Sequence, residues 1–147
     1  MGDGADDAGG GVNRSLTITI PGKLERGLSP NGRLHWAARN RLKWQIIGDT
    51  HYTMREAIDL NDPVACFQTD PWPLTLHWTI GLTPRQKYWD DDNIAAALKY
   101  HRDAIATALG IDDRHFQTGI ITQLYDPEKR GFVQVTICVE QAMRRAS

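Results

Sequence analysis

The residues with the clearest chemical potential stand in one run. Asp90, Asp91 and Asp92 are adjacent, follow Tyr88 and Trp89, and lead into Asn93 and an alanine-rich segment. A second acidic pair, Asp112 and Asp113, comes just after that segment. Carboxylates this close repel one another unless something cationic holds them. A hard divalent cation such as Mg²⁺ fits the pattern, because it takes one or two carboxylates, keeps several waters and draws its other ligands from phosphate oxygens. The competing explanation is helix capping. Asp91 or Asp92 can serve as an N-cap, and further acids are favoured at the positive end of the helix dipole. Capping accounts for one aspartate well and a second tolerably, but not for three. An extended approach would place Asp90 and Asp92 on one side and turn Asp91 away. The triplet then becomes a two-carboxylate clamp, with Asp91 as a solvated spacer or cap.

Other site chemistries are excluded by spacing. The segment DDDNIAAALKYH lacks the Gly at position six and the Glu at position twelve that a calcium loop needs. The five histidines are scattered singly, so no zinc pattern forms. No phosphate-cradling glycine loop or nucleophile elbow is present. Cys66 and Cys138 sit in apolar neighbourhoods and read as small core residues of a reducing cytoplasm, not as a disulfide.

These carboxylates need a frame. The chain has 147 residues, 41% of them hydrophobic and 24% charged, which suits one domain with a substantial core. No apolar run is long enough for a membrane span. Residues 1–14, rich in Gly and Asp, lack the order of a signal peptide and read as a disordered leader, leaving 15–147 as the folded domain. Apolar periodicity predicts strands over 15–20, 74–82, 116–126 and 131–140. It predicts helices over 36–58 and 93–109, the second closed by Gly110. The last two strands, separated by a short turn, are expected to pair as an antiparallel hairpin. The order βαβαββ predicts an α/β two-layer sandwich, a four-stranded mixed sheet with helices on one face.

On the second helix, Ile94, Leu98, His101, Ile105 and Ala108 share a stripe that should face the sheet, making His101 a core histidine. Asp92, Ala96, Lys99 and Asp103 share the accessible face. Basic residues gather elsewhere. Arg33, Arg39, Arg41 and Lys43 occur with no acid among them, and Arg85 and Lys87 stand just before the aspartates. With a net charge of −1 and three acids in the leader, this is a mixed surface with basic patches that suits a polyanionic partner.

Asp90-x-Asp92-Asn93 at a helix start, Asp112-Asp113 beyond it and a closing KRGFVQVTI strand together resemble the RusA family of Holliday junction resolvases, small phage-derived endonucleases. The opening is similar too: TITIPG, then Ser-Pro-Asn-Gly, then a basic helix. The resemblance spans most of the chain, from about 15 to 140. It implies a homodimeric nuclease dependent on Mg²⁺, with Mn²⁺ as a substitute, in a bacterial or phage-infected host cell. Its substrate would be branched DNA, a four-way junction cut symmetrically in recombination and repair. It implies Asp90, Asp92 and Asp113 as the catalytic, metal-holding carboxylates. The family's lysine lies three residues after the motif's asparagine, where this chain has Ala96. Lys99, one turn further along the same face, is then the lysine to neutralise the scissile phosphate. Arg33, Arg39, Arg41 and Lys43 would grip phosphates without reading sequence. Trp36, Trp44 and Trp89 are available either to stack on unpaired bases or to fill the core.

Two further functions share these residues: a phage DNA-binding accessory protein of the same fold without catalysis, and a Mg²⁺-dependent nucleotide hydrolase. A geometric condition also stands open. If the second helix runs unbroken, Asp92 and Asp113 lie on the order of 25 Å apart. Either that helix ends early and the chain folds back, or a two-fold dimer brings Asp113 of one subunit to Asp90 and Asp92 of the other.

Overall fold

The structure, a computed structural model, describes residues 15–25, 35–61 and 73–139. The expected leader, the loop at 29–32, Arg33, Cys66 and the basic residues at 144–145 lie outside these residues. Element order follows the expectation: β1 (Ser15–Pro21), α1 (Trp36–Asn61), β2 (Leu74–Leu82), α2 (Asp91–Leu109), β3 (Phe116–Tyr125) and β4 (Phe132–Val139). A short 3-10 turn, Asp113–His115, precedes β3. The four strands form one mixed sheet in the order β1-β4-β2-β3.

Alternation decides which face carries the helices. In β1, Leu16, Ile18 and Ile20 are buried while Ser15, Thr17 and Thr19 are exposed. In β4 the buried set is Val133, Val135, Ile137 and Val139. These residues join Leu74, Leu76, Trp78, Ile80 and Leu82 of β2 and Ile94, Ala97, Leu98, Ile105 and Leu109 of α2 in one core. The opposite sheet face is polar, with Thr17 hydrogen-bonded to Thr136 (2.8 Å) and Gln134 donating to Thr19 (3.1 Å).

The expected hairpin does not form. β4 pairs antiparallel with β2, and β3 pairs parallel with β2 on the other side, so β2 separates the two strands. Burial explains the choice. β2 is covered on the helix face, and its opposite-face residues Thr75 and Gly81 are buried as well, Gly81 beneath the ring of Phe132. A strand covered on both sides belongs at the centre of a sheet. The helix between β2 and β3 supplies the long crossover that parallel neighbours require.

Residues 126–131 then carry the chain across the end of β2. Asp126 donates its amide to the Leu82 carbonyl (2.8 Å), and its carboxylate accepts the amides of Glu128, Arg130 and Gly131. Those bonds hold the Asp126 carboxyl below the usual carboxylate range. Gly131 has φ +84°, and a side chain there would also run into the Lys23 backbone.

His35 directly precedes α1, and its Nδ1 accepts the Ala37 amide (3.2 Å). α2 ends at Gly110 in the left-handed conformation, with the Gly110 and Ile111 amides satisfying the last carbonyls. The two helices are tied by a buried pair, Thr50 Oγ1 to His101 Nδ1 at 2.9 Å. His101 is a core residue, as its stripe predicts. Cys138 is only half-buried, on the polar side of β4, and so departs from the core role expected of it. Among the described residues no helix is long and apolar enough to cross a membrane.

Candidate metal centre and nucleic-acid interface

Asp90 is delivered by a pinned segment, not a free loop. Gln86 accepts the Thr83 amide (3.0 Å) and donates to the Leu24 carbonyl (3.1 Å). The Tyr125 hydroxyl donates to the Gln86 carbonyl (2.9 Å), and the Tyr125 ring lies 5.8 Å from that of Tyr88. Trp89 is buried, and Gln123 of β3 holds its backbone on both sides. Apart from the local bond between Gln86 and Thr83, these glutamine and tyrosine contacts have no local sequence signature, because their partners are more than 30 residues away.

The capping explanation for the aspartates is now testable residue by residue. The N-cap is Asp90, not Asp91 or Asp92, and its carbonyl accepts the Ile94 amide at 2.9 Å. Its carboxylate makes no capping hydrogen bond. Asp91 and Asp92 form the first helical turn, and all three side chains are exposed. The extended approach therefore stops at Asp90, and strand alternation does not turn Asp91 away from the other two as expected. Three carboxylates stand at the positive end of a 19-residue helix with no capping bond to account for Asp90. Exposed, uncommitted oxygen donors suit a hydrated hard cation held by one or two carboxylates.

Asp113 is not with them. α2 runs unbroken from Asp91 to Leu109. After Gly110 the chain doubles back far enough for the Asp113 carbonyl to meet Arg102 Nη2 at 3.5 Å. Arg102 is still ten residues, about 15 Å of helix, from Asp92. The strands give the same answer: Phe116 pairs with Leu74, at the end of β2 remote from Asp90. Among the described residues no group of three or more His, Cys, Asp or Glu side chains is placed to hold a metal ion. Of the two routes left open by the sequence, an early helix end is removed.

Lys99 lies on the accessible face as expected, but its ammonium rests on Asp103 (3.2 Å) and near the Tyr100 ring, away from Asp92. The Asp112 carboxylate caps the turn before β3 by accepting the Arg114 amide (3.0 Å), which lowers its pKa.

No family model matches the chain. It is 35% identical over 139 residues, 93% of its own length and 84% of the relative's, to an uncharacterized protein of Xylella fastidiosa strain Temecula1. The chain belongs to that protein's family. The match takes in the aspartate run and the sheet together, because so little of the chain is left outside it.

The basic helix is α1. Arg41 is exposed, Arg39 and Lys43 are half-buried, and Arg33 lies outside the described residues. Lys43 sits over Trp44 (5.1 Å) and over Tyr100 of α2 (5.3 Å), so it bridges the two helices while keeping its charge at the surface. Trp36 and Trp44 are 70% and 60% exposed, whereas Trp89 belongs to the core. Two of the three tryptophans are thus available for stacking.

Proposed function

We propose that this chain is a Mg²⁺-dependent endonuclease for branched DNA, of the type the RusA resemblance implies. The observation that carries the reading is the state of Asp90 and its neighbours: three exposed carboxylates at a helix start, none explained by a capping bond at Asp90, delivered by a segment that Gln86 and Gln123 hold in place. A backbone held this firmly, with exposed carboxylates that make no capping bond at Asp90, supports the reading that they serve a ligand.

Asp90 and Asp92 would hold the ion in this chain, with Asp113 supplied by a second subunit. Mg²⁺, when bound, supplies charge neutralisation and water activation for phosphodiester hydrolysis. Arg39, Arg41 and Lys43 bind phosphates of the DNA arms, and Trp36 and Trp44 offer faces for unpaired bases. Lys99 neutralises the scissile phosphate once it leaves Asp103. That exposed i,i+4 pair is worth only about 0.3–0.5 kcal/mol, so releasing it is easy.

The test is cleavage of a synthetic four-way junction by purified protein with and without Mg²⁺. Symmetric nicks that need the metal are expected. Binding without cleavage would favour an accessory DNA-binding role, and hydrolysis of free nucleotides with no action on junctions would favour a nucleotide hydrolase.

A further inference from the structure

We propose that the outer face shared by α1 and α2 binds an unpaired DNA strand, along a ladder of alternating cations and rings built by Lys99, Tyr100, Lys43 and Trp44. That the strand is DNA rests on the nuclease reading above, which the ladder deepens: the preferred substrate is branched DNA with an unpaired arm beside the acidic run.

The ladder is a series of measured contacts. Lys99 Nζ lies 5.6 Å from the centroid of the Tyr100 ring, and Lys43 Nζ lies 5.3 Å from the same ring. Lys43 Nζ is also 5.1 Å from the Trp44 ring. Lys99 and Tyr100 belong to α2, Lys43 and Trp44 to α1, so the row crosses from one helix to the other. At its α1 end the Trp44 ring is 60% exposed. Gly48, one turn on, adds no side chain there, and a Cβ built on it would meet nothing within 4 Å among the described residues. Trp44 is thus a large ring steadied on one side by a lysine and open on the other.

The α2 end of the row leads to the acids. Asp92, Ala96 and Lys99 share one face of α2, and Asp92 and Lys99 are about 10 Å apart along it. Ala95 is exposed and Ala96 half-buried, so the surface between them is low enough for a phosphate backbone to lie against the helix. Lys99 leaves the row only for Asp103, through an exposed pair that competes weakly with a phosphate.

The chemistry of the row selects its occupant. Cations at intervals suit a chain of phosphates. Exposed ring faces reward bases that have lost their own stacking partners, with little regard to sequence, whereas the bases of a duplex are already stacked. No acid interrupts the four residues, and Arg41, one turn before Trp44, adds to their charge. Asp49 is five positions after Trp44, about 140° round α1 and away from the row.

The experiment uses the full chain in EDTA, where metal-dependent cutting stops. A labelled oligothymidine of about 15 nucleotides should bind, quench tryptophan emission, and hold about tenfold tighter than a duplex of the same length at equal salt. Trp44→Ala should weaken that binding about fivefold or more, the share of one stacked base, with an unchanged circular dichroism spectrum, and Trp44→Phe should keep most of it. Lys43→Gln should make the plot of log affinity against log salt shallower by about 0.7. Ile120→Ala, at an exposed site on β3, should change nothing. With Mg²⁺, the wild type should cut a fork with one unpaired arm about fivefold faster than a fully paired junction, and Trp44→Ala should erase the preference. Equal affinity for single strand and duplex, tighter binding of an oligouridine RNA, or wild-type binding by Trp44→Ala would overturn the proposal. So would a wild-type dimer that Trp44→Ala converts to a monomer by light scattering, since the face would then join two copies of the chain. Oligothymidine binding by a chain that cuts no DNA would remove the nuclease reading and leave the strand site standing; cutting without oligothymidine binding would do the reverse.

Discussion

Gln123 grips Trp89 by both of its backbone polar groups: the Trp89 amide donates to Gln123 Oε1 at 2.7 Å, and Gln123 Nε2 donates to the Trp89 carbonyl at 3.2 Å. One side-chain amide on β3 therefore sets where Asp90 begins, although the two residues lie 34 positions apart. Removing it leaves two backbone groups of a buried tryptophan to find new partners. Gln123→Ala should cost about 1–3 kcal/mol in urea unfolding. It should also weaken Mn²⁺ binding while leaving the affinity for DNA without metal unchanged.

The acidic run should separate into roles by substitution. Asp90→Asn and Asp92→Asn should each reduce metal-dependent cleavage by more than the 10–100-fold typical of losing a residue behind a metal ligand. Both are exposed, so their melting temperatures should stay near that of the wild type. Asp91→Asn should have the smallest effect of the three, measured as initial nicking rate at saturating Mg²⁺.

Lys99→Ala should lower the cleavage rate without changing stability, since the contact it loses in the free protein is a single exposed pair with Asp103. Asp103→Asn breaks the same pair and keeps the lysine, so it should not lower the rate. Single-turnover kinetics on both variants distinguishes a reacting lysine from a surface one.

His101 predicts an acid sensitivity. Burial lowers its pKa from 6.5 to about 4, so the folded chain holds it neutral. Between those pH values the unfolded chain takes up the proton and the folded chain does not. Stability from this group is therefore complete above about pH 6.5 and falls as the pH drops toward 4, by about 3 kcal/mol in all. Thermal melts from pH 7.5 to 4.5 should show the loss. His101→Gln, though less stable at neutral pH for want of the Thr50 contact, should show a shallower slope.

If α1 meets the DNA backbone, Arg41→Ala should weaken junction binding on all sequences alike. It should also make the plot of log affinity against log salt shallower by about one unit, the share of one phosphate contact. Titrations at several salt concentrations read this directly.

The elements were readable in the residues because each obeys a local rule. Strand alternation marks Leu16, Ile18 and Ile20, helical spacing marks Ile94, Leu98, His101 and Ile105, and Gly110 ends α2 where the left-handed conformation is needed. Partner choice was not local. The turn at 126–131 has the look of a hairpin, yet it reaches over β2, because Thr75 and Gly81 give that strand a second buried face. The sequence of β2, LTLHWTIGL, alternates like a strand with one covered face, so the burial of Thr75 and Gly81 is set by neighbours far along the chain and not by local pattern. The site divides in the same way. Asp90 and Asp92 announce themselves by spacing, whereas Gln86, Gln123 and Tyr125 matter only through contacts across the sheet.

The sheet also dictates the order in which the protein can come into being. Among the described residues β1 has one strand neighbour, β4, which pairs Ser15 with Cys138 and Pro21 with Phe132. On the ribosome the first strand must therefore wait for the last, roughly 6–25 s at ordinary elongation rates. Until then its apolar face has only helices to shelter it, and the βαβ unit that bears the aspartates lacks its inner neighbour. A chain assembled this way has made Asp90 and Asp113 before β4 closes its sheet, so a nascent copy that lacks β4 should be cut by proteases more readily than the folded chain.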